Sequence, residues 1–221
     1  MNKNRLEAFS DGVLAIIITI MVLELHVPAE PTWHALLEEM PTLLSYVLSF
    51  VYVGIYWNNH HHMLHLAGRI SGGILWANLH LLFWLSLFPF TTRWMNSADL
   101  AEVPVLVYGL NLLLAAIAFY VLKSALIRRQ GRGGPLDVAL GRDWKGKGSP
   151  ILYLLGMGLS LVHPALGLGV YSGVAAMWLI PDRRVERFLT HGSEPHGQST
   201  SPEPTSPEPN SPDSSSPESR G

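Results

Sequence analysis

The chain has 221 residues, 48% of them hydrophobic and 14% charged, with a formal net charge of -2 and no cysteine. Its C-terminal stretch is polar, so the rest of the chain is too apolar for an ordinary soluble domain, and the composition reads as an integral membrane protein. The cysteine count excludes disulfides, thiol catalysis and cysteine metal sites, and the slight acidic excess masks a body that is basic on one side, which gives no nucleic-acid signal.

A membrane-crossing helix needs about 20 mostly apolar residues, and six stretches approach that. The first runs from about Arg5 to Leu25. After Gly12 it carries no charge from Val13 to Leu23, yet Arg5, Ser10 and Asp11 fall in its first third and Thr19 in its middle. An ionisable side chain such as Asp11 is costly in hydrocarbon unless it is paired, buried in protein or facing water, so a span that carries one is a functional candidate. Charge inside the apolar run, with no small-residue cleavage site after it, argues against a cleaved signal. Pro31 to Met40 sets Trp33, Leu36 and Leu37 against Glu38 and Glu39 and reads as an interfacial helix.

The second span, about Pro41 to Asn59, starts at a proline that a first helical turn tolerates and ends in Tyr56 and Trp57, followed by His60, His61, His62 and His65. The third, about Ser71 to Trp94, is interrupted by Pro89 and closed by Arg93. The fourth, about Val103 to Leu126, contains Asn111, read as an interhelical hydrogen bond. A Gly-rich basic loop from Arg128 to Ser149 leads to two short stretches, about Ile151 to Val162 and Ala165 to Ile180, separated by His163 and Pro164. A single helix from Pro150 to Ile180 would reach about 46 Å, well beyond a hydrocarbon core of about 30 Å, so two spans are expected and six in all.

Lys and Arg supply an independent check. Lys3, Arg5, Arg69, Arg128, Arg129, Arg132, Arg142, Lys145, Lys147, Arg183, Arg184 and Arg187 fall on one side of the predicted topology; only Arg93 falls on the other, beside Glu30, Glu38, Glu39, Asp99 and Glu102. The pattern fits a multi-pass protein of the cell membrane with both termini cytoplasmic. Residues 1–187 form the predicted transmembrane domain. Residues 188–221, rich in Pro, Ser and Glu, have too little apolar surface to offset ordering entropy and are expected to be a disordered cytoplasmic tail.

On a helix Ile16, Thr19, Ile20 and Leu23 share a face. In a span that is apolar all round, periodicity alone does not say whether that face meets lipid, protein or a pore. His61 and His65 have the i, i+4 spacing to share a metal ion, but no cysteine or carboxylate close by completes the sphere; structural contacts are the first reading of the four histidines, and a proton-sensitive element the second. Tyr52, Val53, Gly54, Ile55 and Tyr56 faintly echo a carbonyl selectivity filter, but they lie within a predicted span whose carbonyls are committed to helix hydrogen bonds. No nucleophile with its base, complete metal set or phosphate loop is present, so an enzyme is not expected.

Arg5, Phe9, Ser10, Asp11 and Gly12, followed by an apolar helix with a central Thr19 and an ending of Val22, Leu23, Glu24 and Leu25, resemble the transmembrane protein 175 potassium channel family, the endolysosomal potassium channels of animals and their single-repeat prokaryotic relatives. Gly54 to His61 at the end of the second span and Leu87 to Thr91 at the end of the third are similar to the family as well. The resemblance covers the membrane body and not the tail. It implies an all-α, potassium-selective, passive channel, a homotetramer of six-span subunits in membrane lipid whose first helices surround the pore. Ile16 would form the narrowest apolar ring, with Thr19 one turn further out and Leu23 beyond. Arg5, Ser10 and Asp11 would tie the pore helix to neighbouring helices, with His61 and either Trp57 or Asn58 as partners. His62, which makes a third consecutive histidine, and His80 inside the third span depart from the family pattern. No cofactor, metal or nucleic acid is implied.

A single chain with one pore-facing helix cannot enclose a pore, so rotational assembly is required, and closed cyclic symmetry supplies it. The runner-up is a proton-coupled small-solute transporter that uses Asp11, His80 and Glu24 as proton sites; such a carrier would show inverted repeats or helices broken at the midplane. A membrane scaffold without conduction is a third reading.

Overall fold

The computed structural model describes residues 2–68, 70–131 and 144–179, all of them helix or connecting turn. Arg69, Arg132, Arg142, Ile180, Arg183, Arg184, Arg187 and the tail from 188 to 221 lie outside the described residues. The helices in chain order are α1 (Lys3–Leu23), α2 (Trp33–Glu38), α3 (Met40–His65), α4 (Gly72–Ser86), α5 (Phe88–Ser97), α6 (Glu102–Gln130), α7 (Trp144–Ser160) and α8 (Pro164–Leu179).

Local chemistry explains most of these boundaries. Asn2 caps α1 by accepting from the Asn4 N–H at 3.4 Å, and Thr32 caps the six-residue α2 by accepting from the Ala35 N–H at 3.2 Å. Pro41 sits in the first turn of α3, where its missing N–H costs nothing. Pro89 cannot donate to the carbonyl four residues earlier, and the third apolar stretch breaks at Leu87 into α4 and α5. α6 carries Glu102 in its first turn and Arg128 and Arg129 in its last, matching its dipole at both ends. It stops at Gly131, whose φ of 90° a side chain would resist. α5 ends in a Schellman turn, with the Leu100 N–H on the Met95 carbonyl and the Asp99 N–H on that of Asn96. The turn puts Asp99 and Leu100 at φ of 48° and 56° without a glycine.

Among the described residues four segments are long and apolar enough to cross a membrane: Lys3–Leu23, Met40–His65, Gly72–Ser97 and Glu102–Gln130. α7 and α8 are shorter, at 17 and 16 residues. The turn at Leu161 and Val162, with His163 after it, separates them into two helices rather than one long kinked one.

α6 is the centre of the bundle, packing on α4, α5, α7 and α8, while α1 lies to one side against α3, α4 and α5. Between helices in lipid, burial gains little from water release, and close packing carries the association. An aromatic cluster does this at the junction of α3, α5, α6, α7 and α8. Tyr52, Phe88, Tyr108, Tyr153 and Tyr171 lie ring to ring at 6.0 to 6.5 Å. The Tyr52 hydroxyl donates to the Tyr171 carbonyl at 2.6 Å. The Tyr171 ring fits because Gly109 on α6 and Gly156 on α7 present no side chain; a Cβ at either would overlap it.

Gly109→Ala and Gly156→Ala should each destabilise the fold by about 1–3 kcal/mol through overpacking. Gly169→Ala, inside α8 at a site with open space around it, should not lower the thermal midpoint of the purified protein and gains helix propensity instead, and thermal unfolding in detergent compares the three.

Candidate functional site

α1 has two unlike faces. Leu6, Ser10, Leu14, Ile17 and Met21 recur every three or four residues and are buried against the bundle. Arg5, Phe9, Gly12, Ile16, Thr19, Ile20 and Leu23 point away from it and are exposed. Ile16 is 58% and Leu23 81% exposed, so neither side chain packs into its own subunit. Thr19 lies on this free face, and its hydroxyl donates to the Ile16 carbonyl at 2.9 Å. With its proton so engaged, the Thr19 oxygen keeps its lone pairs for an acceptor role.

The rotation of α1 that frees this face is held by polar contacts behind it. Along its first half α1 runs antiparallel to α3, and three contacts recur in step. The Lys3 Nζ donates to the His65 carbonyl at 2.6 Å, Glu7 Oε1 lies 3.1 Å from His61 Nδ1, and the Trp57 indole N–H donates to Asp11 Oδ1 at 3.1 Å. Each advance of four residues along α1 meets a retreat of four along α3, the register two antiparallel helices keep from turn to turn. His61 stacks between Trp57 and His65, with ring centroids at 6.1 and 6.3 Å.

Deeper in, a directed chain of hydrogen bonds joins α1, α3 and α4. The Ser10 hydroxyl donates to the Leu6 carbonyl at 2.9 Å and accepts from Asn78 Nδ2 at 3.0 Å. The Asn78 Oδ1 lies 2.7 Å from His60 Nε2. Because Asn78 offers an oxygen there, His60 must carry its proton on Nε2, which leaves a buried Nδ1 without a partner among the described residues. Ser10, Asn78 and His60 are all within 1% of full burial. In such a place an unmade hydrogen bond costs far more than it would in water.

At the opposite end of α1, Arg93 Nη1 of α5 meets Glu24 Oε2 at 2.8 Å. Beside that pair a second polar layer runs from α3 to α5 and α6: Ser45 bonds Asn96, and Ser49 bonds Thr92 at 2.6 Å and Tyr108 at 3.0 Å.

Of the residues singled out from the sequence, Asp11, Trp57, His61 and Ser10 take part in these contacts. Arg5 and Asn58 do not. Both are exposed, and neither side chain makes a hydrogen bond or ion pair within the subunit to a described residue. Lys3, Glu7, His60 and Asn78 belong to the network, although sequence reasoning did not assign them to it; Glu7 stands one turn before Asp11 and Lys3 one turn before Glu7, a periodicity that could have found two of them. Asn111 was expected to bond between helices, but it is buried with neither side-chain atom partnered among the described residues. Lys123, overlooked inside the fourth span, is 5% exposed with its ammonium 5.4 Å from the Tyr120 ring centroid. His80 lies on an exposed face of α4 and accepts from the Trp84 indole at 2.9 Å. Asp11, His80 and Glu24 thus each have a separate local partner.

Residues 5–89 match the family model described as endosomal/lysosomal potassium channel TMEM175. A potassium channel of Chryseobacterium sp. (strain P1-3) is 51% identical over 189 residues, covering 86% of this chain and 98% of its own length. A potassium channel of Streptomyces collinus is 35% identical over 137 residues, 58% of this chain and 66% of that one. The crystal structure of a lysosomal potassium-selective channel TMEM175 homolog from Chamaesiphon minutus superposes with a TM-score of 0.71 at 30% identity, covering 82% of this chain and 97% of that one.

Asn78→Ala strands the His60 N–H and removes the donor to Ser10, and should cost about 1–3 kcal/mol. Asp11→Ala loses one contact at an open rim and should cost less. Thermal midpoints of the two variants test that order, and an Asp11→Ala loss equal to or larger than that of Asn78→Ala would contradict it.

Proposed function

This chain belongs to the TMEM175 potassium-channel family, and on that premise we propose that it is a passive, potassium-selective channel in which the first helices of four copies surround a central pore. The observation that carries the reading is the free face of α1, which holds Ile16, Thr19 and Leu23 clear of their own subunit. A helix fastened to its own bundle by specific polar contacts, with exposed apolar side chains left on its other face, suits a shared axis, and closed cyclic symmetry is the economical way to cover that face.

Ile16 then makes the constriction. An apolar ring gates by dewetting and passes ions only when wide enough to stay wet. Thr19 lies about 4.5 Å further along the helix, where its hydroxyl oxygen can replace part of an ion's hydration. Leu23 lines the mouth beyond. Asp11, Ser10, Trp57 and His61 act behind the pore surface, holding α1 in rotation. Arg5 and Asn58, unpaired within one subunit, are open to a neighbouring copy.

Each subunit crosses the cell membrane six times, α7 and α8 being the two short crossings; α8 has 16 residues, just under the usual minimum of about 17, and the first turn of α7 with Lys145 and Lys147 stands at its basic end. Lys3, Arg5, Arg128, Arg129, Lys145 and Lys147 gather at one end of the bundle and Arg93 stands at the other, which supports cytoplasmic termini. Residues 1–187 make up the channel domain and 188–221 a cytoplasmic tail. The carrier reading finds no support, since its three proton sites are engaged apart from one another.

Purified protein in liposomes should carry potassium down an imposed gradient faster than sodium, without saturation and without proton movement. Ile16→Asn should weaken that preference while leaving assembly intact; an unchanged potassium-to-sodium ratio in an assembled Ile16→Asn channel removes Ile16 as the selective ring.

A further inference from the structure

Glu24 stands at the wrong end of its helix. It is the C-cap of α1, its N–H on the Met21 and Val22 carbonyls, where the helix dipole disfavours negative charge. α1 has no basic residue in its last turn. The compensating charge comes from another helix, as the Arg93 guanidinium lies 2.8 Å from the Glu24 carboxylate. Glu24 directly follows Leu23, the last residue of the free face, and its side chain is 30% exposed against 62% for Arg93. An ion pair so open to water is a weak source of stability, so its main effect is on the field around it.

The rest of this end of the molecule sharpens the point. Glu30, Glu38, Glu39, Asp99 and Glu102 lie in its loops and at its helix ends, and among the described residues Arg93 is the one Lys or Arg there. That single cation is set on the carboxylate next to the free face and on none of the others.

Resting on the pore reading above, we propose that Arg93 masks Glu24 at the outer mouth and so sets how strongly the mouth concentrates potassium from solution. In a tetramer the pairs form a ring of four, each neutral as a unit. Loss of the guanidinium leaves a ring of bare carboxylates next to Leu23, which raises the local cation concentration and the rate of entry. Loss of the carboxylate leaves a ring of guanidiniums and does the reverse. Loss of both returns the pair to neutrality.

The test is single-channel inward current in planar bilayers for the wild type, Arg93→Gln, Glu24→Gln and the double variant. In about 0.01 M potassium chloride, where the Debye length is about 30 Å, Arg93→Gln should carry roughly two-fold more current than the wild type and Glu24→Gln roughly two-fold less. The double variant should match the wild type. At about 1 M salt, where the Debye length is about 3 Å, the four should converge. If Arg93→Gln does not assemble, Glu24→Gln with Arg93→Lys as the charge-keeping control carries the same test. Current ratios that do not change between the two salt concentrations overturn the masking role alone, with the channel reading intact. A wild type that passes no potassium overturns both.

Discussion

Inside a membrane a broken hydrogen bond has no water to turn to, and the bonds that run from Leu6 through Ser10 and Asn78 to His60 therefore do more than join three helices. They decide how α1 is turned about its own axis. At 3.6 residues per turn, Thr19 lies about 180° around the helix from Ser10, and Leu23 about 140°. Once Ser10 is committed inward, these residues have to face outward. A rotation that hid Thr19 in the bundle would expose Ser10 and strip Asn78 of its acceptor.

The contacts along α1 and α3 add a second constraint of a different kind. The buried bonds fix rotation, whereas the repeating contacts of Lys3, Glu7 and Asp11 with His65, His61 and Trp57 bear on how far α1 slides along α3. At the far end of the same helix Glu24 meets Arg93 of α5. α1 makes polar contacts near both ends and keeps between them a stretch of exposed apolar side chains. The other helices give this arrangement a rigid back: the tyrosine cluster around Tyr171 locks α3, α6, α7 and α8 through close contact rather than through water release.

How much of this was readable before folding depends on the reach of the signal. The Arg5 to Gly12 motif is contiguous, so its likeness to a channel family, and its place in the first span, could be read directly. Trp57 and His61 came with the same family likeness, which runs through the contiguous stretch at the end of the second span. Asn78 was not singled out, since a lone amide in the middle of an apolar run carries no local mark of its partner 68 residues away. Asn111 shows the same limit in reverse: an amide in a span suggests a partner by type, and the described residues packed around it supply none. Among the histidines, neighbours in sequence part company in space, with His60 buried against Asn78 and His61 at the rim beside Glu7.

Composition and hydropathy by themselves determined that this chain is a helical membrane protein, and roughly where its spans begin and end, because the length of an apolar run and its flanking charges answer to the bilayer and not to the rest of the fold. The break at Pro89 and the separation at Pro164 were equally local, since a missing N–H acts where it stands. The tertiary structure alone decided which face of α1 is free and which side chains stand behind it. That choice depends on hydrogen bonds and ion pairs between helices distant in sequence, and an apolar helix has no periodicity from which its orientation could be read.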